Sequence, residues 1–246
     1  MIKKNAVTLF IPALCEIEGL KTLMPRIDRD WVDQILIVDG NSNDGTFEYA
    51  KDNGYEIIIQ KRPGLRWAYN EGFPHIRNEY VLTFSPDGNC IPEVIPSLIK
   101  KMKEETWDMI VASRFMPPAK SDDDDLITAF GNTMFNKLCS MLHGHKYYDC
   151  LNMFRIYKTK SFYDLGMDKD ESYWMEKYCF TIMGIEPLLS IRSAKMQMKI
   201  AEVPSDEPKR IHGVRKLQII RWGMAYLSQM LYEAFTNDYR IQKNNN

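Results

Sequence analysis

Ile35-Leu36-Ile37-Val38-Asp39-Gly40-Asn41-Ser42-Asn43-Asp44-Gly45-Thr46 is the stretch on which the fold turns. Four apolar, mostly β-branched residues run directly into a cluster of Asp, Gly, Asn and Ser. The first part reads as a strand buried on both faces, the second as a tight turn that opens a helix. Ser42 or Asp44 stands where it can cap that helix, which leaves Asp39 at the carboxyl end of the strand. In an open α/β sheet, ligands bind outside that end.

Working outward, the same pattern recurs on both sides. Val7 to Ile11 is an apolar run ending at Pro12, followed by a helical segment from Glu16 to about Ile27. Glu56–Ile59, Tyr80–Phe84 and Met109–Ala112 read as further strands, with helical segments at Asp44–Asn53, Gly64–Arg77 and Glu93–Glu105. Alternation of strand and helix predicts an α/β fold, a mainly parallel sheet with helices on both faces. After Arg114 the rhythm changes. Pro117-Pro118 and Ser121 to Asp125 mark a loop whose aspartates cap a long helix from Leu126 to Leu142. Beyond Asp149 come a strand at Met153–Tyr157, two helical pieces, a strand near Met198–Val203 and a long helix from Gly213 to Phe235. The expected organisation is one domain over 1–236, with halves at 1–114 and 115–236, and a flexible tail over 237–246.

Composition narrows the classes. The chain has 246 residues, 45% hydrophobic and 26% charged, with a formal net charge of −1. That balance argues against a nucleic-acid binder, which would be clearly basic. The five cysteines are scattered, with no C-x-x-C pair, so the expectation is reduced thiols in a cytoplasmic protein. No secretory signal core precedes the first strand, and no window carries the roughly 18 apolar residues of a spanning helix.

Polar residues cluster at three strand ends of the first half: Glu16, Asp39, and Asp87 with Asn89. A parallel sheet brings these ends to one edge, so the residues converge on one crevice. No G-x-G-x-x-G follows the first strand and no G-x-x-x-x-G-K-[ST] occurs, which disfavours a Rossmann dehydrogenase and a P-loop nucleotidase. Pro86-Asp87-Gly88-Asn89 has the composition of a turn, and also offers a hard cation one anionic and one neutral oxygen. The segment Lys209 to Lys216 holds five basic or titratable residues in eight positions, a local anion site in a near-neutral chain.

Val7 to Glu16, with its Pro12-Ala13-x-x-Glu16 ending, resembles the opening motif of family 2 glycosyltransferases. Ile35 to Thr46 resembles their Val-Asp-x-x-Ser-x-Asp-Gly-Thr signature. Within that family the chain is most similar to polyprenyl-phosphate sugar synthases of the dolichyl-phosphate mannose synthase type, over about residues 6 to 217. The resemblance implies a GT-A (Rossmann-like) fold with a nucleotide-sugar half and an acceptor-binding half. It implies a donor that is a GDP- or UDP-hexose, held by Pro12, Glu16, Asp39, Asn41, Arg62, Asp87 and Arg114. A divalent cation, Mg²⁺ or Mn²⁺, is expected on Asp87 and Asn89; Ser85 stands where the family's metal motif has its first Asp. Arg62 to Gly72 matches the family's basic loop, in which Arg62 or Arg66 contacts the base or diphosphate, or else faces water. Ser113-Arg114 and Asp149 to Arg155 match two further blocks, and Glu202 to Leu217 a third, with Arg215 in place of a usual Ser.

Two acceptors follow from these matches. A polyprenyl phosphate brings an oxygen that is already anionic, so catalysis reduces to positioning plus stabilisation of the leaving diphosphate by the cation, Arg210 and Lys216. A sugar hydroxyl of a glycan or lipid-linked oligosaccharide needs a base, for which Asp149 and Glu176 are the candidates. Asp149 alternatively braces Arg155 or a turn, and Glu176 is alternatively a plain helical surface residue. Inversion at the anomeric carbon is implied in either case. Other classes carried alongside are a sugar-1-phosphate nucleotidyltransferase and an inactive nucleotide-sugar-binding scaffold. The apolar stripe of the last helix fits core packing, a homodimer, or peripheral contact with the inner face of a membrane.

Overall fold

The computed structural model describes residues 2–104, 106–169, 174–182, 184–211 and 219–236, without the side chains of 174, 219 and 220. Seven strands form one sheet: β1 (Lys3–Ala13), β2 (Gln34–Asp39), β3 (Glu56–Ile59), β4 (Asn78–Thr83), β5 (Met109–Ser113), β6 (Arg155–Lys158) and β7 (Ile200–Pro204). Their order is β3-β2-β1-β4-β6-β5-β7. All pairings are parallel except those of β6, which runs antiparallel between β4 and β5. The sheet is thus mainly parallel, as the alternation predicts. The inserted antiparallel strand is a tertiary pairing that no local pattern announces.

The apolar runs are continuous because both faces are covered. Leu9 and Ile11 of β1 point into one core with Leu20, Ile37, Leu82 and Leu98, while Phe10 points into the other with Leu36, Val38, Tyr69 and Phe73. Helices α1 (Ile17–Leu23) and α2 (Thr46–Asp52) follow β1 and β2, α3 (Leu65–Gly72) follows β3, and α4 (Ile95–Glu104) follows a short 3₁₀ turn at Pro92–Val94 after β4. Proline at 12 is accommodated inside β1, where it lies level with Val38.

The second half holds α5 (Leu126–His143), α6 (Thr159–Asp164), α7 (Trp174–Cys179), α8 (Glu186–Lys195) and α9 (Ile219–Phe235). Asp125 caps α5 through a reciprocal capping box with Thr128, as the aspartate run suggests. Three helical pieces, not two, lie between β6 and β7, because α6 turns directly off β6 at Thr159. Arg155 is fully buried and donates to the carbonyls of Asn152 and Glu186 and to Ser190 Oγ, tying β6 to α8. The described part of the last helix is Ile219–Phe235; the expected start at Gly213 and the tail 237–246 lie outside the described residues.

Candidate active site

The donor end is made by the turns after β1 and β2. The register sets Ala13 beside Asp39, so the Pro12–Glu16 turn and the Gly40–Thr46 turn rise together. They are stitched by hydrogen bonds: Cys15 N–H donates to Ser42 Oγ at 2.8 Å, Glu16 N–H to Thr46 Oγ1 at 3.0 Å, and Ile17 N–H to Asp44 Oδ2 at 3.2 Å. Asp44 also accepts from the N–H of Thr46, the first residue of α2. Burial raises the Asp44 pKa, but these donors outweigh it and leave the carboxyl below its ordinary 3.8. Ser42 therefore serves the β1 turn, and Asp44 serves the helix start.

Asp39 is 1% exposed. Its Oδ2 accepts from Ser42 N–H at 3.0 Å, and its Oδ1 is buried with no partner. A buried carboxylate oxygen without a donor is costly, so this atom marks a position prepared for a ligand N–H or O–H. Asn41 stands beside it, exposed, in the left-handed region at φ 67°.

The basic loop divides its two arginines. Arg62 folds over the Trp67 ring, 3.7 Å from its centroid, with Nε 3.3 Å from Glu71 Oε1. Arg66 turns inward, only 3% exposed, and forms an ion pair with Glu176 of α7. Of the two expectations for Arg66, facing water is the one the structure corrects: the side chain is buried and joins the two halves of the chain through Glu176. Glu176 is correspondingly buried, not a surface residue.

The expected metal turn is fixed from both sides. On one, Gly19 of α1 packs so closely that a Cβ there would lie 1.7 Å from the Pro86 carbonyl oxygen. On the other, the segment Pro208–Ile211 closes over it. Asn89 Nδ2 donates to Pro208 O at 2.8 Å, Ile211 N–H donates to Asp87 O at 2.9 Å, and Arg210 Nη1 lies 2.8 Å from Asp87 Oδ2. Gly88, at φ +104°, leaves room for Ile211. Asp123 Oδ2 lies 3.7 Å from Arg210 Nε. Lys216 lies outside the described residues.

Among the described residues no three acidic, His or Cys side chains gather as a metal group. Asp87 and Asn89 still fit a hard cation. Arg210 holds Asp87 Oδ2 and the Asn89 N–H donates to Oδ1, so a cation would take this carboxylate only with Arg210 turned from it to the diphosphate. Two protein oxygens would then suffice for Mg²⁺ or Mn²⁺, with diphosphate and water completing the shell.

Beyond β5, Arg114 is the hub. Its Nε and Nη2 donate to Asp149 Oδ2 and Oδ1 at 2.7 and 2.9 Å, its backbone N–H donates to Oδ2 at 3.1 Å, and Nη1 reaches Glu207 Oε1 at 3.2 Å. Desolvation disfavours the guanidinium, but Asp149 and Glu207 overcome it and hold Arg114 firmly charged. Asp149 is fully buried, and it braces Arg114 and not Arg155. Glu207 also accepts from Ser121 Oγ, and burial pushes its pKa up. Glu202 accepts from the backbone N–H of Tyr148 and Asp149, and burial raises it too. Glu207, Glu202 and Asp123 were not separable by sequence as site residues, because each meets its partner only through the fold.

The family model described as Glycosyl transferase family 2 matches residues 20–166. Glycosyltransferase AglJ of Haloferax volcanii is 26% identical over 238 residues, spanning 95% of this chain and 74% of that protein. An uncharacterized glycosyltransferase of Mycobacterium bovis is 23% identical over 214 residues, 87% of this chain and 90% of its own. Among solved structures, glucosyl-3-phosphoglycerate synthase from Mycobacterium tuberculosis, in complex with Mn²⁺, UDP and glucosyl-3-phosphoglycerate, matches with a TM-score of 0.67 at 18% identity. That match covers 94% of this chain and 81% of the other. At such identity the likeness is one of fold, a GT-A-type mainly parallel sheet.

Proposed function

Since the chain belongs to glycosyl transferase family 2, we propose that it moves a hexose, with inversion, from a nucleoside-diphosphate sugar to a polyprenyl phosphate. One observation carries the choice of acceptor: both carboxylates that could serve as a base are already engaged by arginines. Asp149 has each oxygen on Arg114, and Glu176 is buried against Arg66. A hydroxyl acceptor must lose a proton to such a base, whereas a phosphate oxygen attacks as the anion it already is.

In this reading Asp39 Oδ1 accepts from the nucleobase or ribose, with Pro12, Glu16 and Asn41 shaping the same end. Arg62, stacked on Trp67, closes the base side. Asp87 and Asn89 hold the divalent cation, which when bound neutralises the diphosphate. The Mn²⁺ and UDP of the similarly folded synthase support both a cation and a nucleotide donor. Arg210, beside Asp87, brings a fixed positive charge to the leaving group, and Lys216 adds another. Asp149 and Glu207 are positioning residues that hold Arg114 at the close of β5. The remaining work is alignment of the acceptor oxygen with the anomeric carbon.

Transfer of labelled hexose from UDP- and GDP-linked donors to a polyprenyl phosphate, with and without Mn²⁺, tests the assignment. Asp87→Ala should lower kcat/KM about a hundredfold, in line with loss of a charge-stabilising group. Unchanged metal-dependent turnover would remove Asp87 from the site.

A further inference from the structure

We propose that helices α5, α7 and α9 together form the face by which this protein docks on an anionic phospholipid surface. On α5, Ile127, Phe130, Met134 and Met141 recur at helical spacing, yet they point outward. Phe130 is 72% and Met141 75% exposed. An amphipathic helix of a globular protein puts such a stripe on the core. Here the core side of α5 is a second stripe, Phe135 and Cys139. On α9, Met224, Leu231 and Phe235 repeat the arrangement, with Phe235 86% exposed. Phe180, 81% exposed, directly follows α7. Helix α9 packs against both α5 and α7, so the three helices are neighbours on the surface. Exposed apolar area concentrated in this way marks an interaction surface.

The charges on these helices select the occupant. Among their described residues only two carboxylates occur, Glu176 and Glu233, and both are buried on arginines, Arg66 and Arg192. The exposed charges are Lys137, Lys177 and Arg221, all positive. The whole chain has a net charge of −1, so the basic bias within these helices is a segregation. Carboxylates flank it at the α5 N-terminus, where Asp125 caps the helix, Asp123 faces Arg210 and Asp122 is exposed. Lys137 follows Phe130 by seven positions and Met134 by three, which places it in the apolar stripe itself. Apolar side chains with interspersed basic residues suit a layer of anionic headgroups. A second copy set face to face would bring only like charges together.

The position agrees with the crevice. The α5 N-terminus follows Ser121 and Asp123, which touch Glu207 and Arg210. The apolar face therefore starts at the rim of the acceptor end, so that a lipid-borne phosphate reaches the crevice from the bilayer plane. This goes beyond the reading of the acceptor, and its test contains no acceptor: failure of either leaves the other standing.

The full chain should co-sediment with vesicles of phosphatidylcholine mixed with phosphatidylglycerol, and far less with phosphatidylcholine alone. Added salt should weaken the binding. Phe130→Glu combined with Met141→Glu should cut partitioning at least about tenfold, since both remove apolar burial and add repulsion. Thermal melting and donor binding should stay unchanged, because both side chains are exposed. Ile59→Glu, at an exposed position of the edge strand β3, should leave vesicle binding intact. Absence of binding to anionic vesicles, or equal binding by wild type and the double variant, overturns the proposal. So does a concentration-dependent dimer that the double variant dissolves, which would give the face to a second copy.

Discussion

At the donor end of the crevice, short turns aim the carboxylates, Ser42 N–H bonding Asp39 three positions back and Asn89 N–H bonding Asp87 two back, while neutral hydrogen bonds tie those turns to the rest of the chain. At the acceptor end the contacts are remote. Arg114 reaches Asp149 and Glu207 across 35 and 93 positions, and Arg66 reaches Glu176 across 110. The two constructions should respond differently to damage. A turn residue can lose its ligand contact while the fold persists. A buried ion-pair hub takes several elements with it.

The largest expected effect is therefore Arg114→Ala. It strands Asp149, fully buried, and the buried Glu207 without their cation, a loss of about 3–5 kcal/mol. Urea unfolding should show a clearly lower midpoint, and Arg114→Lys should recover only part because it lacks the two-pronged donor. An unchanged midpoint would mean that the acceptor end is no more tightly coupled than the donor end.

Asp39→Ala should show the reverse pattern. The side chain accepts one hydrogen bond from the protein, at Oδ2, and keeps Oδ1 for the ligand. Nucleotide affinity measured by calorimetry should fall about ten- to a hundredfold, corresponding to about 1–3 kcal/mol. A drop in stability equal to that of Arg114→Ala would erase the contrast.

The smallest effect separates the ends by the sign of a pH slope. Hydrogen bonds hold the Asp44 carboxyl below 3.8, against its burial. Its stabilisation is complete above that value and is lost as pH falls through the lowered one. Burial raises Glu207 above 4.5 in the folded state, against the pull of Arg114. The native state then binds its proton more tightly than the unfolded chain, so its contribution declines as pH rises above 4.5. Melting-temperature profiles of Asp44→Asn and Glu207→Gln should flatten on opposite limbs, acid for the first and the range above 4.5 for the second. Flattening on the same limb would contradict the burial assigned to one of them.

The same division decided what the sequence discloses. All seven strands could be read from apolar runs and their turn residues, and Asp39, Asp87 and Asp125 were placed correctly at strand or helix ends, because those features are local. The antiparallel insertion of β6, the inward turn of Arg66 and the pairing of Asp149 with Arg114 were not visible, since each depends on partners remote in the chain. Asp149 and Glu176 were read as candidate bases from a motif, but a motif does not reveal that an arginine already occupies the carboxylate. That occupancy supports the proposed phosphate acceptor, expected first from the sequence, over the hydroxyl alternative.

A side-by-side transfer assay tests this most directly, offering the enzyme and its donor a polyprenyl phosphate or the matching polyprenol. The two acceptors share the lipid chain and differ in the phosphate, whose oxygen needs no base and whose charge basic side chains can hold. The account predicts a glycosylated lipid phosphate from the first and no product from the second. Transfer to the alcohol at a comparable rate would contradict it, and would return Asp149 or Glu176 to the role of base.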